Sequence, residues 1–88
     1  MDKQELKTYL CQLVLVDESS IDDDQALFSM GILDSLNLLE VVRFVEEKNN
    51  IQVSPKDMTL ENWDSLNRIQ EFIKRKRGLQ NATESSDQ

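Results

Sequence analysis

Apolar residues recur at helical spacing in three separate segments of the chain. In residues 3–15 they stand at i, i+4, i+7 and i+8, which is typical of one face of an α-helix. A helical repeat of this kind also occurs in residues 35–48 and in residues 64–77. The apolar positions are Leu6, Leu10, Leu13, Val14, Leu38, Val41, Val42, Val45, Leu66, Ile69, Phe72 and Ile73. The pattern predicts three main helices and an all-α fold.

A long connection, residues 16–34, separates the first two predicted helices. Connections of this length are unusual in small domains and suggest a function. Besides polar turn residues it contains the apolar residues Ile21, Leu27, Phe28, Met30, Ile32 and Leu33. We expect these apolar residues to pack against the helices. Gly31 is expected at a turn that other residues would strain.

Residues suited to helix ends support the three segments. Asp2 can cap the first helix, and Asp34 or Ser35 can cap the second. Pro55, preceded by Ser54, can open a short helical turn, which we place at residues 57–60. Two asparagines after Lys48 end the second helix, and Trp63 is expected to pack just before the last one.

The last predicted helix ends near residue 77. A basic run over residues 74–77 suits a helix C-terminus, and Gly78 can end the helix. Residues 80–88 contain one apolar residue, Ala82. We therefore expect one domain over residues 1–77 and a disordered tail over residues 78–88.

Composition argues against catalysis and metal binding. The chain has 88 residues, no histidine and a single cysteine, Cys11. Without histidine it lacks the commonest general base and a common metal ligand, so we expect no enzyme and no metal site. The acidic residues 22–24 lack the glycine and glutamate spacing of a calcium loop. We expect Cys11 to be a buried structural thiol.

The charge of the chain is −7 and is concentrated in its first two-thirds. Between Asp17 and Glu47 there are nine acidic residues and one basic residue, Arg43. This surface disfavours nucleic acid and attracts proteins with basic patches. No apolar segment approaches the ~20 residues of a membrane span, and the first residues do not resemble a signal peptide. We expect a cytoplasmic monomer.

One tetrapeptide, Asp-Ser-Leu-Asn, occurs twice, at residues 34–37 and 64–67. Ser65 is expected to cap the last helix. Ser35 follows the glycine-containing loop and begins the acidic helix, where a helix N-terminus can hold a phosphate-linked group. A hydrolase role for Ser35 is excluded, since there is no histidine and no Gly-x-Ser-x-Gly segment. From the residues alone, a simple capping role for Ser35 stays open.

Several segments together resemble the family of acyl and peptidyl carrier proteins. Residues 27–36 resemble the loop that leads to the attachment serine of that family. Residues 45–47 resemble the end of its recognition helix, residues 51–55 the approach to its short third helix, and residues 62–69 the start of its fourth helix. The resemblance covers the chain from about Leu6 to Ile73. It implies a small four-helix carrier-protein bundle, with three main helices, a short third helix and a long first loop.

The resemblance also implies a function. A phosphopantetheinyl transferase would attach 4′-phosphopantetheine from coenzyme A to Ser35, and the arm would hold acyl or aminoacyl groups as thioesters. Loading ligases and downstream synthases or transferases with basic patches would then be partners. The residues expected to contact these enzymes are Asp34, Leu36, Leu39, Glu40, Arg43, Glu46 and Glu47.

Three residues depart from the pattern of the family. Asn37 stands where fatty-acid carriers usually have an acid, Arg43 interrupts the acidic face, and Asn49 replaces a common aromatic residue. The first two suggest partners other than a standard fatty-acid synthase. Acyl carrier protein is the leading interpretation. Fatty acyl, polyketide and aminoacyl cargo stay open, as does an unmodified acidic helical adaptor.

Overall fold

The structure is a computed structural model that describes the backbone of residues 2–86 and the side chains of residues 2–78. Within these residues every regular element is helical, as the sequence predicts. The elements are α1 (Lys3–Val14), α2 (Ser35–Asn49), α3 (Leu60–Trp63) and α4 (Leu66–Ser86), with short 3₁₀ turns at Glu18–Ser20 and Pro55–Asp57.

The helices form a bundle around one hydrophobic core. Helix α4 contacts α1, α2 and α3, and α1 also contacts α2. Most of the predicted apolar stripe is buried, while Leu13, Val14 and Leu38 are partly buried at its edge. The largest fully buried side chains are Trp63, Leu6, Leu10, Ile21, Leu27, Leu33, Leu66, Ile69, Ile73, Val41 and Val45. Removal of these apolar surfaces from water is the main force that holds the four helices together.

Both long N-terminal helices begin and end close to their predicted limits. The Asp2 carboxylate accepts a hydrogen bond from the Gln4 N–H and caps α1. Asp34 caps α2 in the same way, so Ser35 is the first residue of the helix and not its cap. At their C-terminal ends Leu15 and Asn50 adopt the left-handed conformation, with φ of 60° and 53°. This conformation ends a helix and lets a carbonyl of the last turn accept a backbone hydrogen bond.

The long connection packs against the bundle, as predicted. Ile21, Leu27 and Leu33 are at most 1% exposed. Phe28 and Ile32 are partly buried against the same core. The expectation is wrong for Met30, which is 69% exposed. Met30 lies at the tip of a turn that is closed by a hydrogen bond from the Gly31 N–H to the Phe28 carbonyl, so its side chain extends into solvent.

The short third helix exists but lies further along the chain than predicted. Pro55 opens a 3₁₀ turn, and α3 begins only at Leu60. Trp63, expected in front of α4, is the last residue of α3 and is 1% exposed. Its indole N–H donates to the Asp57 carbonyl at 2.9 Å. That buried polar contact fixes the indole ring, which also packs against Phe72 in the core.

Helix α4 does not end at Gly78. It runs from Leu66 to Ser86, and Gly78 has none of the positive φ that a helix-ending glycine adopts. Glycine inside a helix costs about 1 kcal/mol relative to alanine, which weakens a helix without stopping it. Residues 78–86 continue α4 in the described backbone, and residues 87 and 88 lie outside the described part of the chain. The predicted division into a domain over residues 1–77 and a disordered tail over residues 78–88 stays a prediction. Along residues 2–86, no helix combines the length and the apolar composition that a membrane span requires.

Candidate functional site

The loop in front of α2, residues 27–33, is a closed turn, and we name it the leading loop. The Leu27 carbonyl accepts hydrogen bonds from the N–H groups of Ile32 and Leu33 at 2.8 and 3.0 Å. Gly31 has φ of 77°, the left-handed region that glycine adopts without strain, as the sequence predicts. Both ends of the loop are held in the core, because Leu27 and Leu33 are buried. The loop therefore delivers the chain to the start of α2 in a defined position.

Ser35 stands exposed at the first position of α2. The preceding residue, Asp34, makes the cap, since its carboxylate accepts a hydrogen bond from the Asn37 N–H at 2.8 Å. The first N–H groups of a helix have no acceptor within the helix, and the helix dipole adds partial positive charge there. The hydroxyl of Ser35 thus lies at a solvent-facing helix start that favours a negatively charged group.

An exposed face of α2 continues from Ser35 along the helix. Leu36 and Leu39 are 75% and 54% exposed, and because they are three residues apart they form an apolar patch at the start of this face. Glu40, Arg43 and Glu47 are exposed one and two turns further on. Residues three and four apart in a helix share a face, so these side chains form one continuous surface with an apolar start and a charged end.

Glu46, predicted on the same surface, is partly buried and has a structural contact. Its carboxylate accepts a hydrogen bond from the Val53 N–H at 2.9 Å. This bond ties the end of α2 to the segment that leads to the second 3₁₀ turn. The periodicity of α2 could not reveal it, because the donor is a backbone group seven residues away. Glu46 therefore offers less free charge to a partner than Glu40 or Glu47.

The second copy of the tetrapeptide has a different environment. Ser65 is 3% exposed, and its hydroxyl accepts a hydrogen bond from the Arg68 N–H at 3.1 Å, which confirms the predicted cap. Leu66 is completely buried. The Asn67 side chain donates to the Asp24 carboxylate at 2.6 Å, and its N–H donates to the Asp23 carbonyl at 3.0 Å. This copy serves packing and attachment of the long connection.

Asp64, the first residue of the second copy, binds the leading loop. Its carboxylate accepts the Phe28 N–H at 2.7 Å, the Ser29 N–H at 3.0 Å and the Ser29 hydroxyl at 2.7 Å. Burial raises the pKa of Asp64, but the hydrogen bonds from Ser29 and Phe28 outweigh this effect and the pKa lies below its usual value. This role of Asp64 was not predicted from the sequence. The repetition of an aspartate before a capping serine was the available signal.

The thiol and the acidic groups of the described residues provide no second candidate site. Cys11 is 4% exposed, which confirms a buried thiol. Desolvation by burial raises its pKa, so the thiol is protonated and unreactive near neutral pH. Among the described residues no group of three acidic, cysteine or histidine side chains is arranged to hold a metal ion.

Residues 4–73 match the family model described as "Phosphopantetheine attachment site". The match spans the whole bundle except the ends of the chain, including both Asp-Ser-Leu-Asn copies. The chain belongs to the phosphopantetheine-attachment family. Members of this family carry 4′-phosphopantetheine covalently and are non-catalytic substrates of phosphopantetheinyl transferases. The protein is therefore a carrier protein, as its resemblance implied.

Known carrier proteins similar to this chain have a narrower designation. A D-alanyl carrier protein of Streptococcus uberis is 37% identical over 71 residues, which cover 81% of this chain and 85% of the relative. One of Streptococcus suis is 29% identical over 69 residues, covering 78% and 87%. A D-alanyl carrier protein of Lactococcus lactis is 33% identical over 61 residues, covering 69% and 77%.

A covalent arm needs a hydroxyl that a transferase can reach. Of the two serines in the repeated tetrapeptide, Ser35 is exposed at a helix start, while Ser65 is buried and its oxygen already accepts a capping hydrogen bond. The geometry of residues 34–37 thus fits the phosphopantetheine group, and that of residues 64–67 does not.

Proposed function

We propose that this carrier protein holds an aminoacyl group, with D-alanine as the first cargo to test, on a 4′-phosphopantetheine arm attached to Ser35. The observation that supports the site is the contrast in exposure between Ser35 and Ser65. The names of the similar carrier proteins support the cargo. Fatty acyl and polyketide cargo, the other expectations from sequence, are the alternative outcomes of the test.

Attachment uses the Ser35 hydroxyl as a nucleophile toward coenzyme A. The Ser35 oxygen forms a bond to the phosphorus that bears the pantetheine group, and the bond between this phosphorus and the bridging oxygen of the pyrophosphate breaks. Adenosine 3′,5′-bisphosphate leaves. We assign the base that takes the hydroxyl proton to the transferase, because this chain has no histidine and the Asp34 carboxylate already accepts the Asn37 N–H. The N-terminus of α2 favours the negative charge that then lies beside it.

The exposed face of α2 provides the contacts by which enzymes recognise the carrier. Leu36 and Leu39 offer apolar surface next to Ser35, and such exposed patches commonly mark interaction sites. Asp34, Glu40 and Glu47 offer negative charge that attracts basic patches and speeds encounter. Arg43 places one positive charge in this surface, which attracts partners with an acid at the matching position and repels those with a base there.

The arm supplies a thiol that holds the cargo as a thioester. The protein itself raises the effective concentration of the cargo at partner enzymes and excludes wrong partners through the α2 face. A D-alanine-activating ligase and a downstream transferase are the partners that this function requires. The proposal places loading in the cytoplasm, where coenzyme A is available to the transferase.

Two successive mass measurements test the proposal. The protein is first incubated with coenzyme A and a broad-specificity phosphopantetheinyl transferase, and its intact mass is expected to increase by one phosphopantetheinyl group. No increase in folded protein would favour the unmodified adaptor. The modified protein is then offered to ATP-dependent ligases that activate D-alanine, L-alanine or a long-chain fatty acid, in separate reactions. Preferential gain of D-alanine supports the cargo, and preferential gain of the fatty acyl group would contradict it.

A further inference from the structure

We propose that Asp64 is a positioning residue for Ser35, because it holds the leading loop in the closed form that presents this serine to the transferase. This role rests on the proposed function of Ser35. The second copy of Asp-Ser-Leu-Asn would then hold the loop that leads to the first copy, although the two copies are thirty positions apart in the chain.

Four hydrogen bonds join residue 64 to the beginning of the leading loop. The carboxylate accepts the N–H groups of Phe28 and Ser29 and the Ser29 hydroxyl, at distances between 2.7 and 3.0 Å. The carbonyl of Asp64 accepts the Leu27 N–H at 2.7 Å. Hydrogen bonds to an ionised acceptor are shorter and stronger than those between neutral groups. We therefore expect the Asp64 carboxylate to hold residues 28 and 29 in place although it lies near the surface.

The position of the loop determines the position of Ser35. The Leu27 carbonyl, fixed through its own residue's bond to Asp64, accepts the N–H groups of Ile32 and Leu33. Leu33 is 1% exposed and is followed directly by Asp34, the cap of α2. Only one residue, Asp34, lies between the buried Leu33 and Ser35. Release of the loop at residues 27–29 therefore loosens the segment that places the cap and the serine.

A displaced nucleophile reacts slowly even when its partner still binds. A misplacement of about 1 Å can cost on the order of 100-fold in rate. The side chains of Glu40 and Glu47 lie on α2 itself, beyond the first turn, so they stay available for docking. Loss of the Asp64 contact should thus lower kcat for modification of Ser35 more than it raises KM.

Asp57 offers a matched control. Its carboxylate also accepts three hydrogen bonds, from the Ser54 N–H at 3.0 Å, the Ser54 hydroxyl at 2.9 Å and the Lys76 ammonium at 2.7 Å. These partners belong to the second 3₁₀ turn and α4, and none belongs to the leading loop. Asp57→Ala therefore removes the same number of bonds from the bundle without releasing residues 27–33.

The test compares modification kinetics of the wild type, Asp64→Ala, Asp64→Asn and Asp57→Ala, each well below its unfolding temperature. We expect Asp64→Ala to lower kcat/KM about tenfold, mainly through kcat. Asparagine keeps an acceptor for both backbone N–H groups, so Asp64→Asn should stay within about twofold of the wild type. Asp57→Ala should do the same. Hydrogen exchange should accelerate at the Ile32 and Leu33 amides in Asp64→Ala and not in Asp57→Ala.

Equal slowing by Asp64→Ala and Asp57→Ala would overturn the inference, because general destabilisation would then explain both. A normal rate for Asp64→Ala would overturn it as well. If Asp64→Ala does not fold, Ser29→Ala is compared with Ser54→Ala, and slowing confined to Ser29→Ala supports the inference while equal rates overturn it. Absence of modification in the wild type would instead contradict the proposed function. The hydrogen-exchange measurement would still test the contact between Asp64 and the leading loop, because it needs no modification of Ser35.

Discussion

Residues 34–37 and residues 64–67 have the same sequence. Each tetrapeptide lies at the start of a helix that packs in the same core. In the first copy Asp34 is the cap and Ser35 is the first helical residue. In the second copy Ser65 is the cap and Leu66 is the first helical residue. This shift of one residue rotates each side chain by about 100° around the helix axis, since a turn contains 3.6 residues.

The rotation separates a reactive surface from a structural one. Leu36 is 75% exposed, whereas its counterpart Leu66 is completely buried. The apolar stripe that follows decides the register: Leu66 is in phase with Ile69 and Ile73, while Leu36 is out of phase with Val41 and Val45. The lesson is that a short motif acquires its role from the helix register around it and not from its own residues.

The largest predicted difference concerns the two leucines. Leu66→Ala should reduce the free energy of unfolding by about 2–5 kcal/mol, because it opens a cavity in the core. Leu36→Ala removes an exposed side chain and should change it by less than about 0.5 kcal/mol. Urea unfolding of both variants measures the difference. Similar losses in the two variants would mean that Leu36 packs inside the bundle.

Replacement of Asp64 and Asp34 by asparagine should produce a smaller difference in stability than the leucine variants do, and this difference should depend on pH. The hydrogen bonds that outweigh burial keep the pKa of Asp64 below its usual value. The stability that this contributes is fully present above the unfolded-state pKa of about 3.9 and is lost as the pH falls through the lower folded-state value. Asp64→Asn should therefore cost about 1–2 kcal/mol at pH 6 and progressively less toward pH 3.

Asp34→Asn is the matched variant, because asparagine caps a helix about as well as aspartate and the change should cost less than about 0.5 kcal/mol at pH 6. Unfolding free energies of both variants and the wild type at pH 6, 4.5 and 3 provide the comparison. A difference between wild type and Asp64→Asn that stays constant over this range would contradict the assigned role of the Asp64 carboxylate.

Replacement of the two serines by alanine should change the free energy of unfolding by amounts that differ by about the energy of one helix cap. Ser65→Ala removes the acceptor of the Arg68 N–H and should cost about 1 kcal/mol. Ser35→Ala replaces an exposed first helical residue by a better helix former and should leave the stability unchanged or slightly higher. Thermal unfolding monitored by circular dichroism measures both. A clear loss of stability in Ser35→Ala would show that its hydroxyl also supports the fold.

The smallest expected effect tests the charged surfaces that follow the two copies. Glu40→Lys combined with Glu47→Lys should slow modification about threefold at low salt, and added salt should reduce the difference. Glu61→Lys combined with Glu71→Lys changes the net charge equally on exposed positions of α3 and α4. Equal slowing by the two double variants would indicate net charge alone and not docking on the α2 face.

Helix periodicity and local capping rules were sufficient to predict most of the bundle. The apolar stripes, the Asp2 cap, the Ser65 cap and the turn at Gly31 depend on residues close together in sequence. Two limits were not predicted. Helix α3 begins only at Leu60, and α4 continues past Gly78 because glycine only weakens a helix.

The candidate site was predictable only where it depends on residues close together in the sequence. The exposure of Ser35 follows from its place at a helix start, and the apolar beginning of the α2 face is visible in the sequence. The bond from the Val53 N–H to Glu46 joins a helix to the connection after it, and the bonds from the leading loop to Asp64 join segments far apart in the chain. Helix periodicity does not predict such contacts. Because the two tetrapeptides are identical, their sequences give no sign that Asp64 of the second copy would hold the loop that leads to the first copy.

The most direct test of the account is the intact mass of Ser35→Ala and Ser65→Ala after incubation with coenzyme A and a phosphopantetheinyl transferase. Both variants are first shown to be folded by circular dichroism. We expect Ser65→Ala to gain one phosphopantetheinyl group, as the wild type does, and Ser35→Ala to gain none. A gain by Ser35→Ala, together with none by Ser65→Ala, would contradict the account and assign the arm to the second copy.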